Sequence, residues 1–543
     1  MERNLRAMSA SQYDLLIIGG GISGACVAWD ASLRGLRVAL VEKGDFGGAT
    51  TSATSKLIHG GLRYLKNLEF GLVRESLRER KTLTRTAPHQ IYPLPILCAT
   101  YRKGPSRKRP LKVGMVLYDL LSLDKSWGVP EEKRISSHRF LSREATLEAA
   151  PFLKQEGLTG SFLYYDCQNL FPERHCLSFI QSAAAQGATI ANYAEAIDLL
   201  ISEHHIEGAL VRDRLSGAEY EIRATVTANV SGPWADHLLG LCKGVEERRV
   251  RRSKGIHVVT RALSPEYGVT VITGKRGHVF SLPWRGHSLI GITDTEFFGD
   301  PDDLTVKRKD IEDLLARVNR SFPGARLTAQ DVRYSYAGLR PIVDQDVEIV
   351  YDASRRYEIY DHEKDEGIRG MVTVVGGKYT TSRNLAEQVV SLVTNKLKHP
   401  DPGCRTGRLP IYGGDIQDLP AYTEDAVQRN PFGLPPATCE HLIRTYGTAY
   451  KELFTHLESF PEAGEPICDG QPDIQAQIDR AVEREMCLTL SDLLLRRTGI
   501  GTLGDPGEDC ARRCAEKMGE LLSWSPDRVE KELEAFYAKI AVP

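Results

Sequence analysis

Residues 13–42 read YDLLIIGGGISGACVAWDASLRGLRVALVE, and this stretch decides the fold. Residues 13–18 have the short, mostly apolar pattern of a buried strand in a parallel sheet. A glycine-rich turn follows, and the stretch from Ile22 to Leu33 has helical character that ends at Gly35. Residues 37–42 then form a second apolar strand. Strand, helix and strand within about thirty residues predict a βαβ unit.

The turn between the first strand and the helix carries a nucleotide-binding pattern. The pattern G-x-G-x-x-G is met by Gly19, Gly20, Gly21, Ile22, Ser23 and Gly24. Glycine lets the backbone approach a pyrophosphate, and the N–H groups at the helix N-terminus face its phosphates. Glu42 stands 18 residues after Gly24, where a carboxylate accepts hydrogen bonds from ribose hydroxyls and would repel the 2′-phosphate of NADP. The sequence therefore predicts a dinucleotide site.

The segment after Glu42 distinguishes FAD from NAD. Residues 47–61 read GGATTSATSKLIHGG, which is rich in Gly, Ser and Thr and contains nothing resembling a core. Such a segment suits a chain laid along a long cofactor, to which it offers hydroxyls and backbone N–H groups, and an NAD enzyme has no need of it. A solvated loop is the alternative that composition leaves open.

Outward from this unit the chain continues with strands and ends in helices. Strands are predicted at residues 188–193, 196–202, 206–214, 219–223, 224–230, 255–261, 279–293 and 371–375. Arg285-Gly286-His287 is a predicted hairpin turn within the 279–293 stretch. The helix after the last strand is amphipathic. Pro400, Pro402 and Gly403 mark a linker, and from about residue 409 the chain is polar and helix-forming, which predicts a separate helical domain.

Composition limits the class of protein. A chain of 543 residues needs two or three domains, and its net charge of −2 excludes a global field that recruits nucleic acid. The N-terminus lacks the apolar core of a secretory signal, and its longest uncharged apolar stretch has 15 residues, fewer than the roughly 18 that a spanning helix needs. The 11 cysteines show no metal-ligand spacing, so we expect reduced thiols and no metal site.

Five further motifs connect the chain with a known family. They are TSATSKLIHGGLRYL at 51–65, NVSGPW at 229–234, KGIH at 254–257, YAGLRP at 336–341 and GGKYTT at 376–381. Together with the glycine pattern they resemble the FAD-dependent glycerol-3-phosphate dehydrogenases of the respiratory, aerobic type, in order from about residue 12 to 400. Arg496-Arg497-Thr498 resembles the family's C-terminal domain more weakly. Ser382 departs from the family, which usually has an aromatic residue there.

The resemblance implies a fold and its division into domains. The expected fold is α/β: a Rossmann-like FAD-binding domain with an inserted β-sheet substrate domain, of the glycine/D-amino-acid oxidase superfamily type, and a C-terminal α-helical domain. The discontinuous FAD-binding domain is expected at residues 1–72, 158–235 and 336–400. The substrate or cap domain is expected at 73–157 and 236–335, and the helical domain at 401–543.

The resemblance also implies an activity. Members of the family oxidise sn-glycerol 3-phosphate to dihydroxyacetone phosphate by hydride transfer to flavin N5, and pass the electrons to a membrane quinone. An oxidase that returns electrons to oxygen as hydrogen peroxide is an alternative that no residue here excludes. An amino-acid oxidase of the same superfamily and a non-catalytic flavin-binding sensor are further alternatives. A homodimer is one candidate assembly.

A phosphorylated three-carbon alcohol requires two kinds of side chain. Its phosphate dianion calls for arginine, whose planar fork matches two phosphate oxygens. Its C2 hydroxyl needs a base while the hydride leaves. The resemblance places Arg63, Tyr64, Arg340 and Lys378 in the substrate pocket. Its catalytic set is His257, Arg340, Lys378 and His59. His257 is the first candidate for the proton acceptor and is also expected to contact the substrate. His59 is the alternative proton acceptor.

The expected cofactor contacts extend beyond the glycine pattern. The Gly376-Gly377-Lys378 turn ends a strand and begins a helix, whose positive end would stabilise negative charge on reduced flavin. The full expected FAD-binding set is Gly19, Gly20, Gly21, Ile22, Ser23, Gly24, Glu42, Lys43, Thr51, Ser52, Ser55, Lys56, Leu57, His59, Ser231, Gly232, Gly377, Lys378 and Thr380.

A basic segment followed by an apolar one predicts contact with a membrane surface. Six cations without an acid among them are Arg102, Lys103, Arg107, Lys108, Arg109 and Lys112, and residues 113–121 are largely apolar. Peripheral membrane anchors have this composition. The alternative is a solvated basic loop before a buried helix. Because the family's electron acceptor is lipid-soluble, we expect a cytoplasmic protein held peripherally at an anionic membrane surface.

Overall fold

The computed structural model of the chain describes residues 1–242, 249–274, 277–343 and 356–543. Residues 243–248, 275–276 and 344–355, which belong to the predicted domain segments 236–335 and 336–400, lie outside the described residues. The strands are β1 Gln12–Ile18, β2 Val38–Val41, β3 Leu57–Ile58, β4 Ile91–Tyr101, β5 Arg139–Leu141, β6 Leu158–Asn169, β7 Thr189–Ala191, β8 Ala194–Ser202, β9 His205–Asp213, β10 Glu219–Asn229, β11 Val250–Thr260, β12 Gly268–Gly274, β13 Gly277–Trp284, β14 His287–Gly291, β15 Thr295–Glu296, β16 Val332–Val343, β17 Tyr357–Asp361 and β18 Met371–Gly376.

The helices are distributed along the whole chain and make up most of its last quarter. They are α1 Leu5–Ser9, α2 Ile22–Leu33, α3 Phe70–Thr86, α4 Lys108–Leu120, α5 Arg143–Ala149, α6 Pro172–Ala185, α7 Ala235–Leu239, α8 Arg308–Ser321, α9 His362–Glu366, α10 Ser382–Leu397, α11 Leu419–Gln428, α12 Pro436–Tyr446, α13 Tyr450–Ser459, α14 Ala476–Glu485, α15 Leu490–Asp492, α16 Glu508–Leu522 and α17 Pro526–Ile540.

The first sheet contains the predicted βαβ unit. Its order is β17-β18-β10-β1-β2-β7, with β9 added to β10 and β8 to β9. Strand β1 runs parallel to both β2 and β10, and β2 runs parallel to β7. Helix α2 connects β1 to β2 and packs between α6 and α10 over an apolar core. Open α/β sheets bind their ligands in a crevice at the carboxyl ends of their strands, where the connections from neighbouring strands diverge. In this sheet that crevice lies at the carboxyl end of β1.

The strand predictions for this sheet hold with one difference in number. The two strands predicted at 219–223 and 224–230 are the single strand β10. Its first half pairs antiparallel with β9, and its second half pairs parallel with β1 and β18. The exposed, polar first half and the buried second half therefore differ in character because they have different neighbours, and no turn separates them.

The second sheet forms the wall opposite the crevice. Its order is β15-β11-β14-β13-β12-β4-β6-β3, with β16 paired to β11 and β5 to β6. The predicted hairpin is confirmed, since β13 and β14 pair antiparallel around a turn in which Arg285 and Gly286 both have positive φ. Strands β6 and β16 belong to this sheet, although residues 158–169 and 336–343 were assigned to the FAD-binding domain. The domain boundaries themselves stay a prediction.

The last part of the chain is helical, as predicted. Helices α11 to α17 bury two apolar clusters, one around Leu442 and Leu453 and one around Met518 and Phe536. Cys468 and Cys510, whose Cα atoms are 5.2 Å apart, form a disulfide there, so the expectation that every cysteine is reduced is wrong at this pair. None of the described helices is both long and apolar enough to cross a bilayer.

Candidate active site

A cavity of about 1690 Å³ lies between the two sheets and begins at the carboxyl ends of β1 and β2. This is larger than the 300–1,000 Å³ or so that holds a drug-sized ligand, and it suits a dinucleotide with a substrate beside it. Its lining includes most of the predicted site: Gly19, Gly21, Ile22, Ser23, Glu42, Lys43, Thr51, Ser55, Leu57, His59, Arg63, Tyr64, Ser231, Gly232, His257, Arg340, Gly377, Lys378 and Thr380.

The glycine pattern forms a cradle at one end of the cavity. Gly19 has a φ of 116°, and a Cβ there would lie 2.6 Å from the carbonyl oxygen of Val230. A Cβ on Gly24 would lie 1.9 Å from the carbonyl oxygen of Gly19, so this glycine permits the helix to pack on the strand. A Cβ on Gly21 would meet only Thr51 Oγ1, at 3.3 Å, and would otherwise extend into the cavity. The N-terminus of α2 thus opens on space suited to a pyrophosphate.

Glu42 holds the backbone of this cradle. Its Oε2 accepts from the N–H of Gly20 at 2.7 Å, and its Oε1 accepts from the N–H of Gly44 at 2.8 Å. Burial raises the pKa of Glu42, and the two backbone donors oppose that rise. Each carboxylate oxygen keeps a second lone pair, so contact with a ribose hydroxyl is compatible with this geometry. Lys43 pairs with Asp302 at 2.6 Å.

Four residues of the predicted cofactor set do not line the cavity. Gly20 and Gly24 belong to the glycine turn but lie on its side away from the cavity. Lys56 is buried and makes an ion pair with Glu173 at 2.6 Å, and it also donates to the carbonyl oxygen of Ser52. The Ser52 hydroxyl donates to its own turn. Both side chains are thus engaged by protein groups outside the cavity lining, and the assignment of Ser52 and Lys56 to the cofactor stays a prediction.

A second glycine turn faces the cavity at the end of β18. Gly376 and Gly377 have φ values of 81° and 99°, which favour glycine, and a short 3₁₀ turn, Tyr379–Thr381, then leads into α10. The Thr380 hydroxyl oxygen accepts from the backbone N–H of His59 at 3.3 Å. The Ser382 hydroxyl donates to carbonyl oxygens within this turn, so the departure from the family at this position is accommodated locally.

The turn that carries His59 is held by a carboxylate that the sequence analysis missed. Asp166 Oδ1 accepts from the N–H of Gly60 at 3.0 Å, from Arg80 Nη1 at 2.5 Å and from the Tyr118 hydroxyl at 2.7 Å. Asp166 is on β6 and 106 residues from Gly60, so no local pattern signals the contact. A Cβ on Gly60 would lie 2.2 Å from the Tyr118 hydroxyl oxygen, which explains the glycine.

Two of the predicted substrate-pocket residues meet around one aromatic ring. The Arg63 guanidinium lies 4.8 Å from the centre of the Tyr64 ring and donates to its hydroxyl at 3.1 Å. Lys378 Nζ lies 4.9 Å from the same ring and donates to the Ser76 hydroxyl. Burial lowers the pKa of Lys378. Two cations at one buried ring give this part of the cavity a positive charge that suits an anion.

Arg340 reaches the cavity across β11. It donates to Ser253 Oγ at 3.1 Å and to the carbonyl oxygen of Thr293 at 3.2 Å, and it lies 3.7 Å from Asp294. A Cβ on Gly255 would lie 2.0 Å from Arg340 Nη2. The glycine of the KGIH motif therefore makes room for the guanidinium to cross the strand.

His278 and Arg317 also line the cavity, and the sequence analysis missed both. The pKa of His278 is lowered to about 3 by burial and by Arg63, Arg317, His59 and Arg340. These groups therefore lie near enough to oppose a positive charge on His278. No family motif flanks either residue, since His278 follows Gly277 at the start of an ordinary strand and Arg317 lies on an ordinary amphipathic helix. Only the fold brings them to the other cations.

The two histidine candidates differ in what holds their rings. His257 is buried, its Nε2 lies 2.9 Å from Ser55 Oγ, and its ring stacks on Tyr336. Burial, Arg340 and Lys56 hold the pKa of His257 well below its ordinary value. Neither ring nitrogen of His59 makes a hydrogen bond to any residue that the structure describes. Burial, Lys378, Arg63 and Arg80 lower its pKa to about 3, so His59 is neutral near pH 7.

No group of three or more His, Cys, Asp or Glu side chains that could hold a metal ion occurs in the described ranges. The hydrogen-bond donors that face the cavity include backbone N–H groups, hydroxyls and cationic side chains, which suit phosphates and a flavin.

Comparison with known proteins gives the site a family. The family profile "FAD dependent oxidoreductase" matches residues 14–383, and the profile "C-terminal domain of alpha-glycerophosphate oxidase" matches residues 404–529. A glycerol-3-phosphate dehydrogenase of Synechocystis sp. is 35% identical, with 98% of this chain and 97% of that protein covered. The aerobic glycerol-3-phosphate dehydrogenase of Staphylococcus aureus is 31% identical, with 98% and 95% covered.

Solved structures agree. The glycerol-3-phosphate dehydrogenase from Bacillus halodurans, complexed with FAD, superposes with a TM-score of 0.80 at 27% identity and covers 99% of this chain and 97% of its own. Glycine oxidase from Bacillus cereus shares the fold, with a TM-score of 0.50 at 21% identity over 72% of this chain and 99% of its own. The predicted fold class is confirmed, including its superfamily type and its C-terminal helical domain.

Proposed function

Because the chain belongs to the FAD-dependent glycerol-3-phosphate dehydrogenases, we propose that it oxidises sn-glycerol 3-phosphate to dihydroxyacetone phosphate and passes the electrons to a membrane quinone. It is an FAD-dependent oxidoreductase, and bound FAD supplies a two-electron acceptor for the hydride. One observation carries the choice of substrate. Several cationic side chains lie around the neutral His59 and His278: Arg63 and Lys378 contact the Tyr64 ring, and Arg317 and Arg340 act on His278, which suits a phosphate there.

The roles follow from the contacts. Arg63, Lys378, Arg340 and Arg317 would bind the phosphate, each with a charged donor that a dianion pairs with strongly. Tyr64 orients Arg63 and Lys378 through contact of both with its ring. A neutral histidine takes the proton of the substrate hydroxyl. Asp166 keeps His59 in place by holding the N–H of Gly60.

The acceptor is tested separately from the substrate. Addition of glycerol 3-phosphate to the flavoprotein without oxygen should bleach the flavin absorbance, and a quinone analogue should restore it. In air and without any quinone, we expect little oxygen uptake or hydrogen peroxide. Rapid peroxide release would instead make the protein an oxidase. Absence of bleaching with every polyol phosphate would favour a sensor, and bleaching by an amino acid would favour an amino-acid oxidase.

Loss of one phosphate ligand should weaken binding of the substrate without affecting binding of the flavin. We expect Arg340→Ala, Arg63→Ala and Arg317→Ala each to raise KM for glycerol 3-phosphate about 10- to 100-fold, because a hydrogen bond to a charged group contributes about 1.5–3 kcal/mol. Activity with plain glycerol should change little. Arg320→Ala is the matched control, since Arg320 is an exposed arginine on the same helix as Arg317. Equal losses with both substrates would make the three arginines structural.

The membrane proposal rests on the surface of α4 and the loop before it. All six cations of 102–112 are exposed, and none makes an ion pair with a described residue. The apolar stretch is divided between two faces: Met115 is buried, whereas the exposed fractions are 61% for Val113 and 55% for Leu120. Trp127, which follows this stretch, is 72% exposed. Exposed apolar side chains beside unpaired cations suit an anionic lipid surface.

The cavity reaches this surface, which supports a lipid-soluble acceptor. Arg107, Pro110, Val113 and Gly114 of the membrane-facing segment are part of its lining. The neighbouring lining is apolar and comprises Leu62, Ile96, Leu111, Leu117 and Phe280. A quinone ring could thus pass from the bilayer to the flavin without crossing water.

Membrane binding should depend on both salt and apolar contact. Replacement of Arg107, Lys108 and Arg109 by glutamine should release most of the protein from anionic vesicles, since each cation near such a surface is worth about 1 kcal/mol. Glutamine at the consecutive exposed cations 307–309 is the matched control. Wild-type binding should weaken with salt, because the Debye length falls from about 10 Å at 0.1 M to about 3 Å at 1 M. Binding that survives the triple change at every salt concentration would make the segment an ordinary loop.

A further inference from the structure

Two consecutive arginines of the C-terminal region form ion pairs with one carboxylate close to the glycine turn of the cofactor cradle. Arg497 donates to Asp45 through both terminal nitrogens, at 2.7 and 2.8 Å, and Arg496 Nε donates to Asp45 Oδ2 at 2.5 Å. Asp45 lies more than 450 residues earlier in the chain, in the segment that follows β2. Burial would raise the pKa of Asp45, but Arg497 and Arg496 hold it below its ordinary value.

The local backbone explains how two neighbours reach one partner. Successive side chains of an α-helix point about 100° apart, so adjacent arginines normally face different surroundings. Here Leu493–Arg497 forms a turn of π-helix, a distortion that often marks functional positions. The wider turn directs both guanidinium groups to Asp45. Glu485 and Asp492 hold the same arginines from behind.

The segment that contains Asp45 is part of the proposed cofactor site. Asp45 and Arg496 both line the cavity. The N–H of Gly47 donates to the carbonyl oxygen of Gly20 at 3.0 Å, and the N–H of Gly48 donates to that of Asp45 at 3.0 Å. A Cβ on Gly48 would lie 3.9 Å from the Arg496 guanidinium carbon. Displacement of Asp45 would therefore move the glycine turn.

We propose that Arg496 and Arg497 are positioning residues for FAD: by fixing Asp45, the C-terminal region sets the shape of the cofactor cradle. An ion pair that only joined two domains would also be buried, and burial of charge costs free energy that such a pair does not always recover. Here the ion pair has a second role. Asp45 belongs to the segment whose backbone is hydrogen-bonded to Gly20 of the glycine pattern. Loss of this clamp, the ion pairs of Arg496 and Arg497 with Asp45, should weaken FAD binding more than it lowers the stability of the folded protein.

The test compares FAD affinity with the stability of the FAD-free protein. We expect Arg496→Gln and Arg497→Gln to raise the Kd for FAD about tenfold or more, because each removes charge-assisted hydrogen bonds from Asp45. Arg496→Lys should keep near-normal affinity, since a single bond at 2.5 Å suits an ammonium group. Arg497→Lys should not, because lysine cannot reproduce two parallel bonds. Arg512→Ala removes an exposed ion pair with Glu530 in the same region and is the control.

Thermal unfolding distinguishes positioning from domain joining. Saturating FAD stabilises the folded protein by an amount that depends on its Kd, so a positioning role reduces the FAD-induced rise in Tm. If the glutamine variants lower the Tm of the FAD-free protein and leave the Kd for FAD at the wild-type value, the clamp only joins domains and the proposal is wrong. If Arg497→Gln does not fold, Arg496→Gln and the two lysine variants decide. The titration needs neither substrate nor acceptor, so its outcome is independent of the proposed function.

Discussion

Gly21→Ala should give a folded protein that contains almost no FAD. The added methyl group would contact Thr51 Oγ1 at 3.3 Å, which a small shift relieves, and would otherwise occupy the space of the pyrophosphate. Overpacking of a fitted contact costs about 1–3 kcal/mol, so the Kd for FAD should rise roughly 5- to 150-fold. Flavin absorbance per protein, measured with circular dichroism on the same sample, checks both parts of the expectation.

Two other glycines provide the comparison. Gly24→Ala should fail to fold, because its Cβ would lie 1.9 Å from a backbone oxygen that cannot move without displacing the strand. Gly71→Ala, at an exposed helical position with no atom within 4 Å, should keep both fold and FAD. Full flavin occupancy in Gly21→Ala would show that the pyrophosphate binds elsewhere.

The parts of the structure that the sequence predicted are those determined by neighbouring residues. The βαβ unit follows from apolar strands and a glycine turn within thirty positions, and the hairpin at Arg285 follows from turn residues between two strands. The cationic surface at 102–112 was visible as a run of charges. The two faces of α4 were not separated, because burial of Met115 depends on strands that are distant in sequence.

The parts that the sequence did not reveal depend on contacts between distant residues. The motif indicates Lys56 as a cofactor residue, but it does not reveal the buried ion pair of its side chain with Glu173, 117 residues away. Asp166, His278 and Arg317 enter the site only because the second sheet and α8 fold over the crevice. The family resemblance identified the cofactor and the substrate class, but the residues that hold its motifs in place had to be read from the structure.

The proton acceptor is the residue on which sequence and structure differ most. The motif KGIH ranks His257 first, but its Nε2 is engaged by Ser55 and its Nδ1 is buried without a partner among the described residues. His257 and Ser55 both line the cavity, and the Nε2 of His257 is engaged by the Ser55 hydroxyl there. His59 faces the cavity with its ring nitrogens unengaged by described residues, beside Lys378 and Arg63. We therefore propose His59 as the base, with Ser55 and His257 orienting the hydroxyl.

His59→Ala should lower the rate of flavin reduction by about 10²- to 10⁴-fold, which is the usual contribution of a general base. FAD content and the Kd for glycerol 3-phosphate should stay near normal, because the glycine cradle and the arginines are unchanged. Anaerobic stopped-flow bleaching of the flavin measures the step directly. His257→Ala and Ser55→Ala should each cost less, and by similar factors, since both remove the same hydrogen bond. If instead His257→Ala has the larger effect and Ser55→Ala matches it, the proton leaves through the Ser55–His257 pair. A small effect from all three variants would transfer the role to Lys378, whose pKa is already lowered by burial.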